Sequence, residues 1–359
     1  MSIKLYTPGP VEVSPEILQA MALPMIPHRS KEFQNLYYGI QQSLQKFFYT
    51  QDPIFLATSS AWGGMEGAIR NLVNKKVLNC MSGGFSDKWH PVSLSNDKNA
   101  TPLQFEWGNP VIPEAIDAEL SKGGYDAITL IHNETSTGTM NPIESIMEVI
   151  RKYPELISIV DVVSSFSVME INKDKLGIDV MIASSQKALA LPPGLCLFSV
   201  SKKALNRAKT INNRGFYFDY LEFLDKHLQN MTPTTPAISL FYALDTQLKR
   251  IEKEGLENRY KRHKSLNNKV HDWIKNQGFE LFPSQKYASL GLSCIKNTRQ
   301  INLELLNNIL KNNYKCLIDC GYGKLRGSTF RISNMGDETE DSMNYLLHSL
   351  DRSIEKLSL

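Results

Sequence analysis

Lys187 stands where a lysine can act as an amine nucleophile. Val180-Met181-Ile182-Ala183 is an apolar run, and Ser184-Ser185-Gln186 is a polar turn that delivers Lys187 at its mouth. Leu191-Pro192-Pro193-Gly194 then reverses the chain into the apolar Leu195–Val200. A lysine held between apolar segments loses hydration, which disfavours its charged form. The neutral amine can condense with a carbonyl to form an imine. An arbitrary lysine is more often a solvated surface group, so the reading needs companions. Asp161 is the first. It follows Ile157-Ser158-Ile159-Val160, which puts a carboxylate near the carboxyl end of a strand. An anion there can keep a pyridine nitrogen protonated, so that the ring accepts electrons from a carbanion. A helix cap or a buried ion pair is the plain alternative.

Three further segments carry candidate chemistry. Thr58-Ser59-Ser60-Ala61-Trp62-Gly63-Gly64 leads from a short apolar run into a helical pattern at Met65, Ile69 and Leu72. Free N–H groups and the helix dipole at such a start favour a phosphate, although Ser and Gly also mark ordinary strand–helix turns. No Gly-Lys-Ser/Thr follows, so this is not a Walker loop. Phe85, after Gly83-Gly84, can stack on a planar ring or simply fill a core. Arg331, in Phe330-Arg331-Ile332-Ser333-Asn334, suits a bidentate grip on a carboxylate or a structural ion pair.

The elements that must position these groups alternate. Strand candidates are 54–57, 76–81, 126–132, 157–163, 180–183 and 195–200, with helical patterns at 62–73 and 143–151 between them. That rhythm predicts an α/β fold with a mainly parallel sheet covered on both faces. Such a sheet places reactive groups on loops at the carboxyl ends of its strands. After Val200 the composition changes. Long amphipathic helices at 238–253 and 257–276 precede a strand-like 287–295, a helix at 303–311 and a closing helix at 339–357. The pattern predicts a large domain over 1–244, with an N-terminal arm at 1–17, and a smaller α+β domain over 245–359.

The bulk numbers set the class. A chain of 359 residues fits two closely packed domains, and 42% apolar with 21% charged residues argues against disorder. Net charge is +3 with no concentrated basic run, which argues against nucleic-acid binding. Cys80, Cys196, Cys294, Cys316 and Cys320 are scattered, without Cys-x-x-Cys or zinc spacing, as in reduced cytosolic proteins. The N-terminus lacks the charged head and apolar stretch of a secretory signal. No apolar run approaches bilayer length. Leu357-Ser358-Leu359 is not the usual peroxisomal tripeptide. The expectation is a cytoplasmic protein without membrane partners.

In order and spacing, the motifs resemble the class V, fold type I pyridoxal-phosphate aminotransferases, above all the alanine–glyoxylate and serine–pyruvate group. Tyr6-Thr7-Pro8-Gly9-Pro10 is similar to the family's opening T-P-G-P, which lines the substrate pocket. Pro27-His28-Arg29-Ser30 with Glu32-Phe33, His132-Asn133-Glu134-Thr135-Ser136-Thr137-Gly138, Asp161-Val162-Val163-Ser164-Ser165 and Ser184–Leu189 are similar to its central motifs. Gly323-Lys324-Leu325-Arg326-Gly327 and Phe330-Arg331-Ile332 resemble its closing motif. The resemblance implies the cofactor pyridoxal 5′-phosphate, held as an imine on Lys187, which later shuttles a proton. It implies Asp161 at the pyridine nitrogen, Thr135 at the phenolic oxygen and Phe85 stacked on the ring. Ser60, Ala61, Trp62 and Gln186 would bind the phosphate. Thr232 and Thr235, in Thr232-Pro233-Thr234-Thr235-Pro236, would complete that site in a neighbouring subunit of a homodimer. Gly9 and Arg331 would meet the substrate, Arg331 through its α-carboxylate. The implied reaction is ping-pong transfer of an amino group from alanine or serine to glyoxylate or pyruvate. A phosphonate-type amine transaminase is the alternative; a lyase, a cysteine desulfurase and a non-catalytic regulator rank below it. The chain departs from the family pattern at Ala61-Trp62, at Ser86-Asp87-Lys88 and at Ser333-Asn334. These departures bear on substrate identity more than on cofactor binding.

Overall fold

A computed structural model describes residues 3–357; Met1 and Ser2 of the arm, and Ser358 and Leu359 of the terminal tripeptide, lie outside the described residues. The chain opens with a two-residue strand, β1 (Lys4–Leu5). It then lays down β2 (Ile54–Thr58), β3 (Val77–Met81), β4 (Ala100–Gln104), β5 (Ala127–Ile131), β6 (Ile157–Asp161), β7 (Val180–Ser184) and β8 (Leu195–Val200). These seven strands form one sheet in the order β2-β8-β7-β6-β5-β3-β4. From β4 to β7 every pairing is parallel. β8 runs against both its neighbours, β7 and β2.

Apolar side chains cover both faces of the sheet, which is why its central strands read as unbroken apolar runs. On one face lie α1 (Lys31–Phe48), with Phe33, Tyr37, Ile40 and Leu44 at helical spacing, and α3 (Ile143–Ile150), with Ile146 and Ile150. They pack on Leu56, Leu78, Ile128, Val160, Met181 and Leu197. On the other face lies α2 (Ala61–Leu72), whose Met65, Ala68, Ile69 and Leu72 meet Phe55, Val77, Ile159, Ile182 and Phe198. Neighbours such as Leu197 and Phe198 serve opposite faces because strand side chains alternate.

The second core belongs to the C-terminal part. Here α5 (Leu256–Asn276) and α7 (Glu340–Leu357) cover a three-stranded antiparallel sheet of β9 (Glu280–Leu281), β10 (Leu292–Lys296) and β12 (Thr329–Ser333). Residue 245 lies inside α4 (Ile238–Glu254), whose buried face joins the large core as far as Ile251. Gly255, at φ +83°, separates α4 from α5. The N-terminal arm crosses to this side, where β1 pairs in parallel with β11 (Cys316–Leu317) and Tyr6 enters the second core.

Three elements fall short of their patterns by two residues or more at one end. β6 stops at Asp161, because the chain turns there and the Val163 amide donates back to Asp161 Oδ1 at 2.7 Å. β10 starts at Leu292, since Gln285–Tyr287 forms a 3-10 turn and the Ser289 amide is tied to the Gly138 carbonyl. α6 (Leu303–Ile309) ends by widening into a π turn at Leu310–Tyr314. Among the described residues, no helix is long and apolar enough to cross a membrane.

Candidate active site

The candidate residues converge at the carboxyl ends of the parallel strands, where an open α/β sheet leaves room for a ligand. Asp161 ends β6. Its neighbour β7 ends at Ser184, and the chain reaches Lys187 three residues later. Gly9, Ser60, Ala61, Trp62, Phe85, Thr135, Asp161, Gln186 and Lys187 all line one cavity of about 290 Å³. Asn133 and Ser164 line it too.

Lys187 is buried, and its ammonium donates to the Pro8 carbonyl at 2.5 Å. Burial, helped by the nearby Arg331, pulls its pKa down to about 8; Asp161 and Glu134 oppose the shift. The arm passes so close that a Cβ on Gly9 would lie 2.7 Å from Lys187 Nζ. Gly9 also sits at φ +136°, so both space and backbone demand glycine. Asp161 is raised to about 7 by burial, against the lowering effect of the Val163 amide and of Lys187.

At the N-terminus of α2, the Ser60 side chain makes no capping hydrogen bond. The Ala61 and Trp62 amides at its first two positions have no intrahelical acceptor and are open to an anion, whereas the Gly63 amide donates to the Ser60 carbonyl at 3.1 Å. Gln186 Oε1 accepts from Ser184 Oγ at 2.5 Å, so its amide nitrogen is the polar end left for a ligand. Trp62 lines the cavity and packs on Trp89, with ring centroids 5.7 Å apart.

Phe85 presents one wall of the cavity and stacks on Tyr322 of the second domain at 4.7 Å and 29°. Glu134 fixes the turn that carries it. Its carboxylate accepts from the Phe85 and Ser86 amides, and from both the amide and hydroxyl of Ser136. A Cβ on Gly83 would lie 2.3 Å from Glu134 Cγ, so this clamp also requires glycine. Thr135 and Ser164 share a hydrogen bond of 2.5 Å between their hydroxyls.

Arg331 reaches the wall of the cavity without lining it. Its Nε donates to Asp319 Oδ1 at 2.7 Å and its Nη1 to the Thr135 carbonyl at 2.8 Å. The guanidinium also lies 5.5 Å from the Tyr322 ring centroid. The ion-pair reading is therefore realised in the Asp319 contact, and Nη2 is the guanidinium nitrogen without a recorded hydrogen bond among the described residues. Thr232 and Thr235 do not line this chain's cavity. Their loop is held by Arg29, which donates to the Thr232 and Pro233 carbonyls at 2.9 and 3.1 Å.

The fit to a cofactor rests on groups that lack partners among the described residues. Asn133 is buried in the cavity wall, and among those residues neither its amide nitrogen nor its oxygen has a hydrogen-bond partner. Leaving such groups unsatisfied costs about 1–3 kcal/mol each, so a ligand that reaches them recovers that cost. An orphaned amide, a buried carboxylate, an amine near neutrality and an uncapped helix start suit a group with a ring nitrogen, a ring oxygen, an aldehyde and a phosphate. That group is pyridoxal phosphate. Reasoning from single residues singled out neither Asn133 nor Glu134, although both lie inside the His132–Gly138 motif. Ser164 lay inside the motif at Asp161, and no sequence signal pointed to Tyr322.

A buried lysine and aspartate on adjacent strand ends of this sheet are the fold and site of a pyridoxal-phosphate-dependent transferase. The chain belongs to the aminotransferase class-V family, whose profile matches residues 83–324. It is 38% identical to an uncharacterized aminotransferase of Methanocaldococcus jannaschii, over 98% of this chain and 93% of that one. It is 30% identical to the L-aspartate–glyoxylate aminotransferase of Paracoccus denitrificans, over 94% of this chain and 87% of the relative. The crystal structure of alanine–glyoxylate aminotransferase from Nostoc sp. superposes with a TM-score of 0.92 at 25% identity, covering 99% of this chain and 96% of that one.

Proposed function

We propose that this aminotransferase takes an amino group from a small amino acid, alanine or serine, and delivers it to a small 2-oxo acid, glyoxylate or pyruvate. The observation that carries the reading is the arginine supply. No arginine lines the cavity among the described residues, and Arg331 alone is tied to its wall, through Thr135. One guanidinium suits one carboxylate. The relatives from Paracoccus denitrificans and Nostoc sp. are both named for glyoxylate, which supports that acceptor.

Bound pyridoxal phosphate supplies an aldehyde that captures amines and a ring that takes up electrons. The chain supplies everything else. Lys187 holds the cofactor through its side-chain nitrogen. Once released by the incoming amine, it takes the proton from the substrate α-carbon as a general base. A pKa near 8 leaves a usable fraction of that amine neutral at neutral pH. Asp161 holds the positive charge of the ring nitrogen, and that charge in turn keeps the buried carboxylate ionised. Thr135 meets the phenolic oxygen, and Phe85 covers the ring. Ser60, Ala61, Trp62 and Gln186 hold the phosphate, joined by Thr232 and Thr235 of the partner subunit in a homodimer. Arg331 orients the α-carboxylate, with Gly9 leaving room beside Lys187. Donor and acceptor use the same seat in turn, which is ping-pong kinetics. The test is a donor screen with purified protein, followed by initial rates at varied donor and acceptor. Alanine or serine with glyoxylate or pyruvate should give parallel double-reciprocal lines. Intersecting lines would count against alternating use. Turnover restricted to dicarboxylic donors would overturn the donor assignment.

A further inference from the structure

Arg259 lies in the first turn of α5, immediately after the Gly255 break, and its side chain is 1% exposed. It reaches back to the turn that carries Lys187. Nη2 donates to the Ala188 carbonyl at 2.5 Å and Nε to Ser167 Oγ at 2.8 Å. Nη1 is held by Glu254 Oε2 at 3.0 Å and Asp337 Oδ1 at 3.3 Å. Ala188 directly follows Lys187. Two non-glycine residues next to these contacts, Ser167 (φ +65°) and Ala190 (φ +52°), sit in the left-handed region. Such residues persist only where the surroundings over-determine them. The same turn is packed from the second domain as well: Ala188 and Ala190 share a small apolar cluster with Val11, Val168, Leu292 and Met335.

We propose that Arg259 is a positioning residue for Lys187: by gripping the Ala188 carbonyl and the Ser167 hydroxyl, it makes the placement of the lysine depend on the seating of the second domain. The inference rests on Lys187 being the cofactor lysine. Arg259 touches no reacting atom. A planar fork with five donors can bind two backbone-anchoring groups and two carboxylates at once, which a lysine cannot. Arg262 provides a built-in contrast. It shares Glu254 and donates to the Gly336 and Glu338 carbonyls, but makes no recorded hydrogen bond to Ala188 or Ser167.

The test uses the full chain, stripped of cofactor and then given pyridoxal phosphate. Borohydride fixes the cofactor on Lys187, and peptide mass spectrometry maps and times the adduct. Hydrogen exchange follows the Ala190 and Leu191 amides, which donate to the Lys187 and Ser185 carbonyls. Arg259→Gln should slow fixation and speed exchange at both amides about tenfold, the size of one lost charged hydrogen bond. Arg262→Gln should lower the melting temperature but change both readouts by clearly less than Arg259→Gln, because it reaches Ala188 and Ser167 only through the shared Glu254 carboxylate. Ser167→Ala removes one acceptor alone and should give an intermediate change. If Arg259→Gln and Ser167→Ala both melt earlier but match wild type in fixation and exchange, Arg259 only stabilises and the proposal is wrong. Should Arg259→Gln fail to fold, Ser167→Ala still decides. Wild-type protein that is never fixed at Lys187 would instead overturn the cofactor-lysine reading itself.

Discussion

The cavity beside Lys187 and the charged knot behind it lie on opposite sides of one turn. In the cavity, Asn133 has no hydrogen-bond partner, Asp161 is pushed up to about 7, and Lys187 is pulled down to about 8. In the knot, Arg259, Arg262, Glu254 and Asp337 are buried or half-buried, and each is paired. The first set is unfavourable until a ligand arrives; the second is already satisfied in the folded chain. An unsatisfied polar wall thus marks where binding energy is collected, and a satisfied one marks what holds the shape.

Substitutions that treat the two regions alike would break this contrast. The largest effect is expected at Lys187. Lys187→Ala should cut turnover with the best donor by about 10⁴-fold, the upper range for a lost general base, and abolish borohydride fixation. Residual turnover above one hundredth of wild type would mean another group moves the proton. Next is Asp161→Asn. Turnover should fall about 10³-fold, while the cofactor-free protein should melt at a higher temperature than wild type at pH 8. The sign follows from the raised pKa. Folding favours protonated Asp161, so that contribution to stability is present at low pH and is lost as pH rises through about 7. The asparagine escapes that loss. An earlier melt for cofactor-free Asp161→Asn would mean that the carboxylate is already satisfied without a ligand.

Arg331→Lys tests a group that stands at the cavity wall yet is paired as the knot residues are, since its Nε is spent on Asp319 and its Nη1 on Thr135. KM for the donor and the acceptor should rise about 10- to 100-fold with a smaller change in kcat, as for loss of a charged, geometrically matched bond. An unchanged KM would place the carboxylate elsewhere. The smallest effect is a pH dependence. Capture of pyridoxal phosphate by the stripped protein needs neutral Lys187, so its rate should climb up to about tenfold per pH unit and level off above about 8. A rate that is flat from pH 6 to 9 would contradict a depressed lysine.

The sheet and the groups at its strand ends were legible because both follow from local rules. Buried strands are apolar runs; Asp161 ends one of them and Lys187 lies three residues beyond another. The uncapped start of α2 was visible for the same reason. What escaped notice depends on partners far away in the chain. Glu134 clamps Phe85 across 49 residues, Tyr322 covers it from the other domain, and Arg259 reaches Ala188 across 71. No window of sequence contains such pairs. Asn133 escaped for a different reason. It reads as an ordinary strand-end polar residue, and its meaning lies in having nothing to bond with.

The arm that opens the chain has a consequence for the order in which the molecule is made. Lys4 and Tyr6 donate to the carbonyls of Lys315 and Leu317, and Ser333 donates back to Tyr6. Lys4 and Tyr6 are made long before their partners Lys315, Leu317 and Ser333, so Pro8 and Gly9 can settle over Lys187 only once those partners exist. Closing so long a loop is entropically slow. A growing chain can therefore complete its strands β2 to β8 and still be unable to do chemistry. Lys187 gains its roof only after the segment from Lys315 to Ser333 has been made.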